Sequence, residues 1–186
     1  MTKIKLVALD VDGTLVRSDL SLSPAVVQAV ESLRDAGIIV SINTGRSMGE
    51  LIDFRRSFPW IRYFVVSNGA TGFDAGVNKA FYEKHLPLAI AREVERESRK
   101  YSVMTEVYAE GTSYVNRDRW EQSERYTAEF LHHPSLIEGR SPVDDIGVLL
   151  QQRQTDVEKV YISFEDLSDL PRLRTFCEGF PVDLVT

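Results

Sequence analysis

A single cysteine, Cys177, leaves this chain no partner for an intrachain disulfide, which suits a reducing, cytoplasmic setting. Long apolar runs are also missing. The N-terminal run Leu6-Val7-Ala8-Leu9 is cut by Asp10, too early for a signal-peptide core or a membrane span. Lysine and arginine never form a block, and the formal net charge is −6, so the sequence predicts no nucleic-acid partner and no anionic membrane partner. The patterns G-x-x-x-x-G-K-[ST], H-E-x-x-H and C-x-x-C are absent, as are internal repeats and low-complexity tracts. What remains is a chain with 43% hydrophobic and 27% charged residues, which reads as globular rather than disordered. Its 186 residues suffice for one domain, or one domain carrying a smaller insert.

The first part of the chain alternates strand and helix. Leu6–Leu9 is an unbroken apolar run, expected to be a strand buried on both faces of a parallel sheet. Ser23-Pro24 predicts a helix start, followed by Val26, Val27, Val30 and Leu33 at helical spacing, with Gly37 as the stop. Ile38–Ile42 reads as a second strand. Ser47 and Glu50 form a capping-box pattern opening a helix to about Phe58, and Tyr63–Val66 reads as a third strand. This order predicts a doubly wound α/β layer with right-handed crossovers. Ligands of such sheets sit at the carboxyl ends of the strands, where Asp10, Thr44 and Asn68 stand.

Beyond Asn68-Gly69 the texture becomes α+β. Short strands reach Phe81-Tyr82, a helix is expected over Leu86–Tyr101, and a hairpin turns at Glu110-Gly111. Trp120–His132 reads as helix, residues 135–147 as loop, Val157–Phe164 as a strand with Val160, Ile162 and Phe164 on one face, and Leu167–Phe176 as helix. Val182–Val185 reads as the start of another strand. The strands of this half are expected to be antiparallel, with a boundary near residue 82.

Asp10-Val11-Asp12-Gly13-Thr14 carries the chemistry. Two acids at i and i+2 past a strand end share one small site, and their repulsion calls for a cation or a shared proton. A hard Mg²⁺ suits carboxylate and carbonyl oxygens. Gly13 allows a tight turn whose backbone N–H groups, from Val11 onward, can hold phosphate oxygens, and Thr14 can orient a neighbouring acid.

These residues match the first signature of the haloacid dehalogenase superfamily, aspartate-x-aspartate-x-threonine, and Leu9–Leu15 resembles its Cof-type branch. The resemblance implies that Asp10 is the nucleophile and forms an aspartyl-phosphate, that Asp12 is the general acid and base, and that Asp10 and Asp12 (through its carbonyl) hold Mg²⁺. Thr44-Gly45-Arg46 matches the branch's second motif, with Thr44 donating to phosphate and Arg46 adding charge. Asn68-Gly69 would line the crevice. The implied fold is a Rossmann-like parallel core over residues 1–82 with an inserted α+β cap over 83–186. The implied substrate is a small phosphorylated metabolite, sugar phosphates first.

The resemblance also implies two motifs that this sequence does not show: a phosphate-binding lysine, and Gly-Asp-x-x-Asn-Asp for the metal. Asp144-Asp145 reads as a solvated loop and Lys159 as an exposed strand residue, so neither substitutes. The expectation is an incomplete core whose C-terminal segment is absent, with little or no phosphatase activity from the chain alone. A fragment, a core completed by a second chain, and a degenerate enzyme all remain open. Two rivals stand beside the phosphatase. One is a non-catalytic phosphate-binding or interaction module. The other is a serine esterase using Ser47, because Gly45-Arg46-Ser47-Met48-Gly49 fits G-x-S-x-G, with Asp53 or Asp74 and His85, His132 or His133 as partners. His132-His133 otherwise reads as a plain helix end, Cys177 as a small apolar helix residue, and Trp60 and Trp120 as packing residues.

Overall fold

The computed structural model describes residues 4–126 and 134–185. Strands β1 (Leu6–Leu9), β2 (Ile39–Asn43), β3 (Tyr63–Val66), β4 (Thr71–Asp74) and β5 (Lys79–Glu83) form one sheet in sequential order. β1, β2 and β3 are parallel, joined by α1 (Pro24–Asp35) and α2 (Ile52–Ser57), while β4 and β5 return antiparallel. Leu9 pairs with Ile42 and Asn43 with Val65, so the three loops leaving β1, β2 and β3 emerge side by side. α1 begins where the sequence predicts. Ser23 caps it, accepting from the Val26 N–H at 3.2 Å, Pro24 occupies the first turn, and Gly37 ends it at φ +68°. Val30, Phe54 and Phe58 pack against Ile42, Phe64 and Val66, and each such side chain contributes about 1.5–3 kcal/mol by leaving water.

Two expectations for this half need correction. β1 is an edge strand, with Leu6 53% exposed, because one of its edges has no neighbour among the described residues. The helix after Ser47 starts as a 3-10 turn over Gly49–Leu51 before α2.

A second sheet, in the order β8-β7-β6-β9, is built from β6 (Val103–Ala109), β7 (Thr112–Asn116), β8 (Arg140–Val143) and β9 (Lys159–Phe164). The β6–β7 hairpin turns at Glu110-Gly111, both with positive φ. Helices α3 (Leu88–Ser98), α6 (Ile146–Gln152) and α7 (Leu170–Cys177) cover one face. Ala91, Ile146 and Leu150 meet Val107 there, and Leu173 and Cys177 meet Val160, Ile162 and Phe164. The opposite face, carrying Glu106 and Tyr108, looks toward the first sheet.

Pairing overturns several sequence expectations here. β7 and β8 run parallel, so the sheet is mixed. Residues 135–147 are not a loop: they hold part of α5 (Pro134–Ile137), all of β8 and the start of α6. Asp145 caps α6, accepting from the Val148 N–H at 3.1 Å. α4 (Arg117–Trp120) stops at Trp120, which packs beside Met104 and Val115, and the remainder of the expected Trp120–His132 helix reaches outside the described residues, as do His132 and His133. Val182–Val185 pairs with neither sheet and is not a strand. Among the described residues, no helix is long and apolar enough to cross a membrane.

Candidate active site

Past the end of β1, burial alternates. Val11 is wholly buried, and its carbonyl accepts from the N–H groups of Thr14, Leu15 and Val16 at 3.3, 2.9 and 3.0 Å. This turn, with Gly13 at φ +71°, leaves Asp10 and Asp12 exposed on the same rim. The Thr14 hydroxyl donates to Asp10 Oδ2 at 3.1 Å and so orients that carboxylate.

The loop after β2 is tied to the loop after β3. The Asn68 N–H donates to the Thr44 carbonyl at 3.2 Å, and the Ser67 N–H to the Arg46 carbonyl at 2.9 Å. Ser67, Asn68 and Gly69 are all left-handed, at φ 52°, 59° and 91°. For the two non-glycine residues this costs conformational energy that the cross-loop bonds offset. Thr44 is buried, and its Oγ1 accepts from the Arg46 N–H at 3.2 Å, which leaves its hydroxyl proton for a ligand. A Cβ on Gly45 would lie 3.3 Å from Asn68 Oδ1, so the two loops touch there. Arg46 is buried and closes the third side. Its Nε and Nη2 donate to Asp12 Oδ2 and Oδ1 at 2.9 and 2.6 Å, a fork on both carboxylate oxygens. The structure thus brings Asp10, Asp12, Thr44, Arg46 and Asn68 to one rim, with Arg46 committed to Asp12.

The second sheet reaches the same place, through residues that sequence reasoning missed. Glu50, 3% exposed, pairs with Arg140 of β8 at 3.1 Å, and Arg140 pairs with the wholly buried Glu106 of β6 at 2.8 Å. Backbones meet directly beside this cluster. The Gly49 N–H donates to the Gly111 carbonyl at 2.8 Å, and a Cβ on Gly139 would lie 2.5 Å from the Glu50 nitrogen. Buried Glu158 accepts from Ser67 Oγ and, at 2.7 Å, from the Gly111 N–H. Lys159, expected to be an exposed strand residue, instead donates to the Gly45 carbonyl at 2.6 Å and to Asn68 Oδ1 at 2.9 Å. Its strand does alternate, with Val160, Ile162 and Phe164 toward the helices. The other face meets the first sheet's loops rather than solvent, and no local signal in the sequence says so.

A family model for haloacid dehalogenase-like hydrolases matches residues 7–174. The chain belongs to this family. The 5-amino-6-(5-phospho-D-ribitylamino)uracil phosphatase YcsE of Bacillus subtilis is 31% identical over 75 residues, a match covering 40% of this chain and 30% of that protein. A haloacid dehalogenase-like hydrolase from Bacteroides thetaiotaomicron superposes with a TM-score of 0.76 at 18% identity, covering 94% of this chain and 63% of that one. The subclass IIB sugar phosphatase BT4131 superposes with a TM-score of 0.62 at 20% identity, covering 82% and 56%. The chain therefore has the α/β haloacid dehalogenase fold, and the match spans less than half the length of YcsE.

Two further readings are tested by the geometry of this family member. Ser47 is no esterase nucleophile. It is wholly buried, its Oγ accepts from the Glu50 N–H at 3.3 Å, and its own N–H donates to Glu50 Oε2 at 2.8 Å. That is the capping box, and it explains the serine without catalysis. For a metal, the described residues hold no group of three His, Cys, Asp or Glu side chains fit to bind one. The exposed Asp10 carboxylate and the Asp12 main-chain carbonyl suit a hard cation that keeps several waters, whereas the Asp12 carboxylate is already paired to Arg46. Asp144 and Asp145 do not help: Asp145 is turned to Arg99 at 2.5 Å and Asp144 is 96% exposed.

Proposed function

We propose that this chain carries the nucleophile and phosphate-binding loops of a Mg²⁺-dependent phosphomonoesterase acting on small phosphorylated metabolites, sugar phosphates first, in the cytoplasm. The observation that supports it most is the bonding of three strand-end loops into one rim that presents Asp10, Asp12 and the Thr44 hydroxyl together. An Asp10 carboxylate oxygen attacks phosphorus in line as the ester P–O bond breaks. Asp12 gives a proton to the departing ester oxygen, turning off Arg46 to do so. Water then attacks phosphorus, Asp12 takes its proton, and the Asp10–phosphorus bond breaks to release orthophosphate. Thr44 and the backbone N–H groups of the turn from Val11 to Thr14 hold the phosphoryl oxygens, and Asn68 and Gly69 line the crevice. Asp10 and the Asp12 carbonyl would hold Mg²⁺, which would supply positive charge against the phosphate on an acidic protein. The second sheet acts as a cap that excludes water and selects the substrate. The open edge of β1, where Leu6 is 53% exposed, suits a further strand from the same or a second chain.

Acid-quenched incubation with p-nitrophenyl phosphate and Mg²⁺ tests this. A hydroxylamine-labile phosphoryl group is expected on the peptide containing Asp10, seen by mass spectrometry. A stable adduct on a serine, or one on another acid, defeats the assignment. The fork from Arg46 onto both Asp12 oxygens supports a second reading, in which the chain binds phosphate without hydrolysing it. Phosphate binding with no adduct would select that reading.

A further inference from the structure

Lys159 is the side chain by which β9 enters the rim, and its direct partners there are uncharged. Its ammonium rests on the Gly45 carbonyl, Asn68 Oδ1 and the face of Tyr108, 4.1 Å from the ring centre. All three are neutral groups. Among the described residues no carboxylate lies within ion-pair distance of it. The nearest candidates are committed elsewhere: Glu50 and Glu106 to Arg140, and Glu158 to Ser67 and the Gly111 N–H. Two of its three N–H donors have oxygen acceptors in the protein, and the third has no oxygen partner among the described residues. Burial pulls the Lys159 amine below the ordinary lysine value although Glu50, Glu106 and Glu158 act the other way, so a phosphate arriving at the ammonium would add to an incomplete compensation. Its placement is fixed rather than incidental. Tyr108 is its cross-strand partner on β6, and the preceding residue, Glu158, is pinned to the loop after β3.

We infer that Lys159 is a substrate-binding residue supplied by the cap, whose ammonium pairs with the phosphoryl group held at Thr44. This rests on the phosphatase reading above and extends it: the counter-charge to the substrate comes from both layers, so the crevice is complete only when the second sheet is docked. Phosphate would replace Asn68 or Gly45 as a partner of the ammonium. A lysine that served merely as a peg between the layers would instead be worth most with no ligand present.

Two variants separate these roles. Lys159→Gln keeps hydrogen-bond donors for Gly45 and Asn68 and removes the charge, and Lys159→Met removes both. Inorganic phosphate is titrated calorimetrically into each full chain with Mg²⁺ present, and thermal melts are recorded with and without phosphate. Both variants are expected to bind phosphate at least tenfold more weakly than wild type, with an unchanged or higher melting temperature in its absence. Lys159→Arg is expected to retain binding. Wild-type affinity in Lys159→Gln overturns the inference, as does a lower phosphate-free melting temperature in Lys159→Met accompanied by unaltered affinity. If wild type itself binds no phosphate, the phosphatase reading fails and takes this one with it; binding by wild type and Lys159→Gln alike sinks the inference alone.

Discussion

Arg140→Met is expected to destabilise the chain by about 3–5 kcal/mol, the usual cost of removing one partner from a buried charge cluster. Arg140 is 3% exposed and is the shared counter-ion of Glu50 and Glu106. It also donates to the Leu136 carbonyl at 3.0 Å. Without it two carboxylates face each other out of water, and Glu106 Oε1 already lacks a hydrogen-bond partner. In a chain of this size the loss corresponds to roughly 6–20 °C in melting temperature. The effect has a pH sign. Burial pushes the Glu50 carboxyl above the ordinary carboxylate range. A carboxyl raised by folding takes up a proton as the chain folds, so its contribution is present at low pH and declines as pH rises from the unfolded value through the folded one. Removing Arg140 strengthens that dependence, and the variant should suffer more near about pH 8 than near about pH 5. Melting curves at both values check this. A loss below about 1 kcal/mol at either pH would mean that the cluster is not ionised as drawn.

Asp10→Asn is expected to lower Mg²⁺-dependent turnover of p-nitrophenyl phosphate by about a thousandfold or more, some 4 kcal/mol of transition-state stabilisation. An amide oxygen has nearly the shape of the carboxylate and little of its nucleophilicity, so no aspartyl-phosphate forms. Asp10 is exposed and its hydrogen bond comes from Thr14, so stability should shift by less than about 0.5 kcal/mol. Intact melting with lost turnover is therefore the diagnostic pair. Turnover within tenfold of wild type would remove Asp10 from the chemistry and leave the binding-module reading in place.

The sequence was most legible where structure is local. Ser23 and Gly37 bracket α1, Ser47 and Glu50 close on each other, and Glu110-Gly111 turns the β6–β7 hairpin, each within a few residues. Asp10, Thr44 and Asn68 could be placed because a parallel sheet delivers successive strand ends to one edge. The partner of Arg46 was not legible, since Asp12 lies 34 residues away and a guanidinium near phosphate looks the same in one dimension. Arg140 and Lys159 were missed for a related reason. A charge in an expected loop (Arg140) or at an alternating strand position (Lys159) defaults to solvent, and only the docking of a second layer buries it. Asp144-Asp145 reads in the sequence as an acidic pair in a loop over 135–147, whereas Asp145 is the cap of α6, accepting from the Val148 N–H. β1 was expected to be covered on both faces, yet its apolar run belongs to an edge.

The contact of Gly49 with Gly111 gives the two layers a built-in reporter. That amide proton is held across the seam by a carbonyl of the other layer, and the Gly139 backbone packs too tightly against Glu50 for one layer to slide past the other. Its deuterium exchange therefore proceeds through separation of the layers, and the protection measured at this single position is the free energy of opening the crevice. Added phosphate should slow it in proportion to how much better the closed form binds the anion.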